Sequence, residues 1–479
     1  MDSPTVPSAW RTSTVLAWSA HEASSSDNTK RGARGRMASG CRLYARARVD
    51  GKRAAGLGAR ALHRKSPVSL VPPRAAFESP DFRRYLGSRL VSILGVQMES
   101  VAVGWQVYAL TEDPAALGLV GLMQFLPFIL LAVPGGHVAD RFDRRLVLLC
   151  THAVHALSAL LLLGLTLSGS KDVRGIYAVL VLFGAGRAFS SPAGGALVPL
   201  LVPRAHFSNA VTWNSTGWQV ATIAGPALGG VLYGAGGPTL VYGLSAALAV
   251  MAFLFVLSLS IRPGHRDAEP VTWHSLGAGF RYVWSQRLLL GSISMDLFAV
   301  LLGGAVALLP IYAREILAVG PWGLGLLRSA PAAGAACMAV ALAYHPLQRG
   351  AGQKLFVGVA LFGVATIVFG VSRNTWLSLL ALFVLGAADM VSVVVRATLE
   401  QLATPDAMRG RVSAVNGMFI GASNELGEFE SGMTAKFLGT VPAVVAGGVG
   451  TLLVVAAWAR LFPELRAVDR LEDAKAKAP

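Results

Sequence analysis

Beyond residue 84 the chain alternates long apolar runs with short breaks that are polar or rich in Gly and Pro. Each run is about 20 residues long, enough to cross roughly 30 Å of hydrocarbon as a helix. The runs are continuously apolar and lack the alternation of about ten-residue barrel strands, which predicts spanning helices and excludes an outer-membrane barrel. Twelve segments fit: 85–110, 115–137, 146–168, 174–192, 210–235, 238–260, 288–312, 322–345, 354–372, 375–396, 412–434 and 438–460. The longer break at 261–287 divides them into two sets of six, so the expected organisation is a tail (1–79), a first bundle (80–260), a linker (261–287), a second bundle (288–465) and a short tail (466–479). Within the linker Trp273, Leu276, Phe280, Val283 and Trp284 recur at helical spacing, which predicts an amphipathic helix on the inner leaflet.

Composition agrees with a membrane protein, since 54% of the 479 residues are hydrophobic and 14% charged. The net charge of +16 does not point to nucleic acid, because 14 of the 42 lysines and arginines lie in residues 1–75. That Ser/Ala/Gly/Arg-rich stretch has little periodicity and no signal-peptide core, so disorder is expected, whether it binds anionic lipid, serves as a targeting segment or follows from a start codon chosen upstream. Cys41, Cys150 and Cys337 are too few and scattered for a disulfide framework or metal site. Among the inter-helix loops, one alternate set holds twelve basic residues, including Arg141, Arg204, Arg349 and Arg411, and the other five: Lys171, Arg174, Arg314, Arg373 and Lys436. The positive-inside rule then places both termini in the cytoplasm.

Ionisable residues within the apolar runs narrow the function, because charge in the bilayer costs several kcal/mol unless it meets a partner or a wet cavity. Glu99 falls in the first segment, Arg187 in the fourth, Asp296 in the seventh, and Asp389 with Arg396 in the tenth. This three-helix period predicts that segments one, four, seven and ten line a cavity while three, six, nine and twelve face lipid. Repeats of this kind are typical of transporters. Arg328 falls in segment eight and Glu425, Glu428 and Glu430 in segment eleven.

Two motifs carry a family resemblance. The loop GGHVADRFDRR at 135–145 resembles the G-x-x-x-D-R-x-G-R-R signature of the major facilitator superfamily, through Gly136, Asp140, Arg141, Arg144 and Arg145, with Asp143 in place of the usual glycine. In the fifth segment Gly217, Ala221, Gly225 and Gly229 recur every four residues, a spacing that permits close helix approach. Its G-P-x-x-G-G core, with Gly225, Pro226, Gly229 and Gly230, resembles the superfamily's antiporter motif. Further stretches, such as RLVSILGVQMESVAVGWQVYALT, resemble the exporter branch that includes enterobactin-type siderophore and macrolide efflux proteins. The resemblance covers residues 80–465 and implies an all-α membrane fold of twelve transmembrane helices in two six-helix bundles with pseudo-two-fold symmetry.

It also implies export of a bulky small molecule, siderophore-like or drug-like, by proton antiport from a bacterial plasma membrane. A monomer without cofactor or metal is expected. Glu99 is the first candidate for the proton-coupling group, with Asp296 and Asp389 next and Arg187 as their counter-ion. Gln97, Trp105, Gln106 and Asn416 are candidate substrate contacts. The signature loop is expected to latch the two halves, with Asp140 at a neighbouring helix end and Arg144 and Arg145 on acids or headgroups. The second half's counterpart, HPLQRGAGQK, lacks an acid, which predicts a one-sided latch. An enzyme is disfavoured by the lack of a nucleotide loop, an H-E-x-x-H helix or a G-x-S-x-G elbow, while His152 and His155 have no third metal ligand nearby. Gradient-driven uniport and a non-transporting receptor on the same bundle remain as alternatives.

Overall fold

The computed structural model describes residue 72 and residues 74–260, 273–347 and 349–470, which belong to one compact unit. The basic tail before residue 72 and residues 261–272 of the linker lie outside the described residues. Among those described, every regular element is helical. Helix α1 is Pro80–Thr111, α2 Pro114–Arg141, α3 Arg144–Leu167 and α4 Val173–Leu201. The run Phe207–Leu257 contains α5 (207–235) and α6 (238–257), which part where Gly236 leaves helical geometry and Gly237 takes φ 66°, a conformation suited to glycine. After the linker helix, Trp273–Ser285, come α7 (Arg287–Ile316), α8 (Gly320–Tyr344), α9 (Ala351–Val371), α10 (Thr375–Ala403), α11 (Asp406–Leu438) and α12 (Thr440–Leu461).

These are twelve spans in two bundles of six. Most exceed the expected segments at one end or both, most of all at the ends of α4 (Leu201) and α10 (Ala403) and the start of α11 (Asp406), where the helical ladder runs on past the apolar stretch. Ser79 accepts from Phe82 N–H, Asp113 from Ala115 N–H, Asp172 from Arg174 N–H and Asn374 from Trp376 N–H, which satisfies donors that a helix start otherwise leaves open. Among the described residues ten helical runs are long and apolar enough to cross a membrane, one of them holding both α5 and α6, and the more charged α11, 33 residues long, completes the twelve. In α7 the ladder breaks at Gly303–Gly304 and resumes through short 3₁₀ and π turns. A Cβ on Gly304 would lie 2.5 Å from the Gly427 carbonyl of α11, so glycine is what lets the two helices meet there.

Two seams join the bundles, both built from small residues. At α2–α11, a Cβ on Gly432 would come within 2.8 Å of Gly118; at α5–α8, one on Gly230 would come within 2.5 Å of the Pro321 carbonyl. Such backbone approach is how helices associate where hydrocarbon gives no hydrophobic drive. On the far face, opposite the start of α1, one apolar core runs through both halves, from Val107 and Leu117 to Leu308 and Ala435. On the near face, where α1 begins and α12 ends, the core is divided. One cluster lies around Phe82, Leu197 and Val256, another around Leu355, Leu399 and Leu465, and Val133 of α2 bridges to Val412 and Val415 of α11.

The two near-face loops end differently from what their sequences suggest. Asp143, the departure from the signature, caps α3 by accepting from Arg145 N–H at 2.9 Å. Arg145 pairs with no acid among the described residues and donates instead to the Val256 and Leu257 carbonyls that end α6. Such carbonyls carry the negative end of a helix dipole, so they attract a guanidinium. In the second half the start of α9 is met by the segment after α12. Gly350 N–H donates to the Asp469 carboxylate at 2.8 Å, and Ala351 and Gly352 N–H donate to the carbonyls of Asp469 and Val468. The linker helix packs on α11 through Phe280 against Phe419 and through buried Val283, leaving Trp284 exposed; the side chains of Trp273 and Leu276 lie outside the described residues.

Candidate functional site

Between the bundles lies a cavity of about 480 Å³. Its longest wall is one face of α1, where Tyr85, Arg89, Ser92, Val96, Glu99 and Val103 recur every three or four residues. The α5 glycines fix the position of that wall: Cβ atoms on Gly225 and Gly229 would lie 2.5 Å from Gln97 Cβ and 2.8 Å from Met98 Cα. Glu99 is 6% exposed, and among the described residues no group donates a hydrogen bond to its carboxylate.

The middle of the cavity is crossed by charge. Arg187 of α4 pairs with Glu425 of α11 at 2.9 Å, linking the halves, and its guanidinium lies 5.1 Å from the centre of the Phe128 ring. Arg328 of α8 donates to the Ser100 carbonyl of α1 at 3.0 Å, a second link, and Gln219 of α5 donates to the Ala332 carbonyl of α8. Arg89, Arg187 and Arg328 share the lining with Glu99, Glu425 and Glu428, so three cations face three acids. The wall can therefore bind an ionic ligand of either sign locally while its formal charge stays balanced.

Of the residues singled out in the sequence, Glu99, Arg187 and Gln97 line the cavity. Asp296 does not: it is buried in the second bundle, paired with Arg396 of α10 and within 3.5 Å of the Ser392 hydroxyl. Asp389 is also absent from the lining, and Arg187 has Glu425 as its counter-ion in place of either aspartate. For Asp296 the reason is rotational, because it projects from α7 into its own bundle, where Arg396 of α10 meets it. Gln106 ties helices together, donating to Thr166 and accepting from the Tyr242 hydroxyl at 2.6 Å. Trp105 packs against Tyr233, and Asn416 donates to Glu400 at 2.7 Å. None of these three lines the cavity. Gly136 is half-buried and Arg141 exposed, while the Asp140 side chain lies outside the described residues.

The three-helix period also needs correction, since α3 supplies His152 and His155 to the lining and α10 supplies nothing. Arg89, Arg328, Glu425 and Glu428 were not among the candidates. The signal for the last two was present: acids three residues apart share one helical face, and such a face is too costly to turn to lipid. Among the described residues no cluster of His, Cys, Asp or Glu could hold a metal.

The family described as transmembrane secretion effector matches residues 72–479. The chain is 30% identical over 400 residues to the enterobactin exporter EntS of Citrobacter koseri, an alignment covering 81% of this chain and 93% of that protein. To the enterobactin exporter EntS of Escherichia coli O81 it is 28% identical over 399 residues with the same coverage. In fold it is similar to a bacterial homolog of the human lysosomal transporter Spinster in an inward-facing, unoccupied conformation (TM-score 0.65, 15% identity, 81% of this chain and 99% of that one). The nucleoside transporter NupG is similar too, with a TM-score of 0.62 at 13% identity over 80% of this chain and 99% of that one.

Proposed function

Since the chain belongs to the transmembrane secretion effector family of the major facilitator superfamily and is a multi-pass membrane exporter rather than an enzyme, we propose that it expels a bulky siderophore-like molecule by proton antiport. The observation that carries the reading is the placement of Glu99, an acid at the inter-bundle cavity with no protein donor among the described residues. A carboxylate so placed is met either by cavity water or by a proton, and alternation between those conditions couples proton uptake to substrate release. Arg187–Glu425 and Arg328–Ser100 join the halves across the same cavity, so a change in ligand or proton there bears on contacts between the halves. Both termini face the cytoplasm and the near face opens inward, as the loop charges favour. Enterobactin is the cargo named for the relatives, and a siderophore-like cargo is carried over from them.

Transport into inverted vesicles tests this reading. With enterobactin as probe, accumulation collapses on addition of a protonophore, and Glu99→Gln keeps binding but loses the pH dependence of transport. Accumulation that persists without proton and electrical gradients removes antiport and favours uniport.

A further inference from the structure

At the near-face end of the cavity wall three side chains stand out by what they lack. Arg89 Nε, His152 Nδ1 and both ring nitrogens of His155 are buried without a hydrogen-bond partner, although the three residues line the cavity. His152 is 5% exposed and His155 8%. Unpaired buried polar atoms cost roughly 1–3 kcal/mol each, so native proteins keep few without a reason.

The local hydrogen bonds assign the proton on His152. The Ser88 hydroxyl has one proton, which it donates to the Ala252 carbonyl at 3.0 Å. Its contact with His152 Nε2 at 3.2 Å therefore uses the serine oxygen as acceptor, and Nε2 carries the hydrogen. In a neutral imidazole this leaves Nδ1 as an acceptor. Arg89, one residue after Ser88 on α1, offers an Nε–H donor and a positive charge. One turn further along α3, His155 stacks on Phe183 with ring centres 4.8 Å apart, so an aromatic platform adjoins the pair.

We propose that Arg89 and His152 form a recognition subsite for an anionic oxygen that has a hydroxyl beside it, as in a hydroxy acid or singly ionised diol. The anionic oxygen accepts from the guanidinium, and the adjacent hydroxyl donates to Nδ1 of His152. The subsite rests on the exporter reading, which makes the cavity the place where cargo binds, and it defines the cargo's chemical class more narrowly.

Binding of salicylate, benzoate and phenol to the purified full chain at pH 7 tests it, because only salicylate presents both groups. Salicylate binds at least about tenfold tighter than benzoate, or about 1.4 kcal/mol. His152→Gln keeps an amide where Nε2 meets Ser88 but removes the group at Nδ1, so the ratio falls towards one with thermal stability unchanged. His152→Asn, whose amide lies near the place of Nδ1, restores part of the ratio, and Arg89→Gln weakens both anions while leaving phenol unaffected. A wild-type ratio near one, no binding of either anion, or a ratio that survives His152→Gln overturns the subsite. Accumulation that persists without proton and electrical gradients while the ratio holds would instead remove the antiport reading and leave the subsite standing.

Discussion

Glu99 and Asp296 lie in the first helix of their respective bundles, and in sequence they look alike: single acids within long apolar runs. Their surroundings differ completely. Glu99 borders the cavity without a protein donor among the described residues, whereas Asp296 is bound to Arg396 inside the second bundle. Two halves built on one plan have thus put the same chemistry to opposite uses. In the first, an ionisable group is left where water, proton or ligand reaches it; in the second, a charge pair holds α7 to α10. Exchange needs the former and rigidity the latter, since two bundles can move as bodies only if each is internally firm.

The largest effect that could break this comparison comes from Asp296→Ala. The pair is nearly buried, with side chains 5% and 7% exposed, and removing one partner leaves the other charge uncompensated. That costs about 3–5 kcal/mol. The expected result is a large fall in thermal unfolding temperature in detergent and in yield of folded protein, with substantial recovery in the Asp296→Ala, Arg396→Met double variant. Glu99→Gln, by contrast, leaves the unfolding temperature nearly unchanged. A Glu99 variant as unstable as the Asp296 variant would show that both acids are structural.

The number of spans was legible in the sequence, because crossing hydrocarbon leaves a signal about 20 residues long, but not all their limits: α4 and α10 run on to Leu201 and Ala403, beyond the expected 192 and 396. The partners of the charges were not. A single acid in a helix has no periodicity to reveal which way it faces, and Asp296 meets Arg396 a hundred positions later through a packing that no local pattern encodes. The family resemblance identified the signature loop, but not that Asp143 caps α3 or that Arg145 ends on α6 carbonyls. Likewise the second loop's missing acid was visible, and its replacement by Asp469 from beyond α12 was not.

That replacement sharpens the comparison of the halves at intermediate size. One half caps its third helix from the adjoining loop, the other from the chain's far end. Losing a capping side chain costs about 0.5–2 kcal/mol. Asp143→Ala and Asp469→Ala are therefore expected to lower stability by similar amounts in thermal unfolding. They differ in hydrogen exchange: loss of Asp469 loosens both the start of α9 and residues 463–470, whose ordering depends on it, while loss of Asp143 loosens α3 alone. Identical exchange patterns would mean that the segment after α12 is held by Leu465 packing and not by the cap.

The smallest effect belongs to the far face, where Asp113 and Lys436 join the halves at 2.9 Å. It has the same chemistry as the Asp296 pair in a wet setting, the side chains being 36% and 48% exposed. Burial raises the Asp113 carboxyl, but the Lys436 ammonium and Ala115 N–H outweigh it and hold the group below its ordinary range. A depressed carboxyl contributes stability above its unperturbed value, about 3.9, and loses it as pH falls through the lowered one. Exposure limits the contribution to about 0.2–1 kcal/mol, and salt screens it. Asp113→Asn is the clean probe, because asparagine still caps α2 and only the charge is lost. The population closed at the far face, read from accessibility of a cysteine placed in α1 near Val107, should shift by less than about fivefold. The shift should be constant between pH 5 and 8 and vanish in 1 M salt or well below pH 4. A shift of a hundredfold, or one that resists salt, would mean that this pair is as strongly desolvated as Asp296–Arg396 and that the two settings do not differ as their exposure implies.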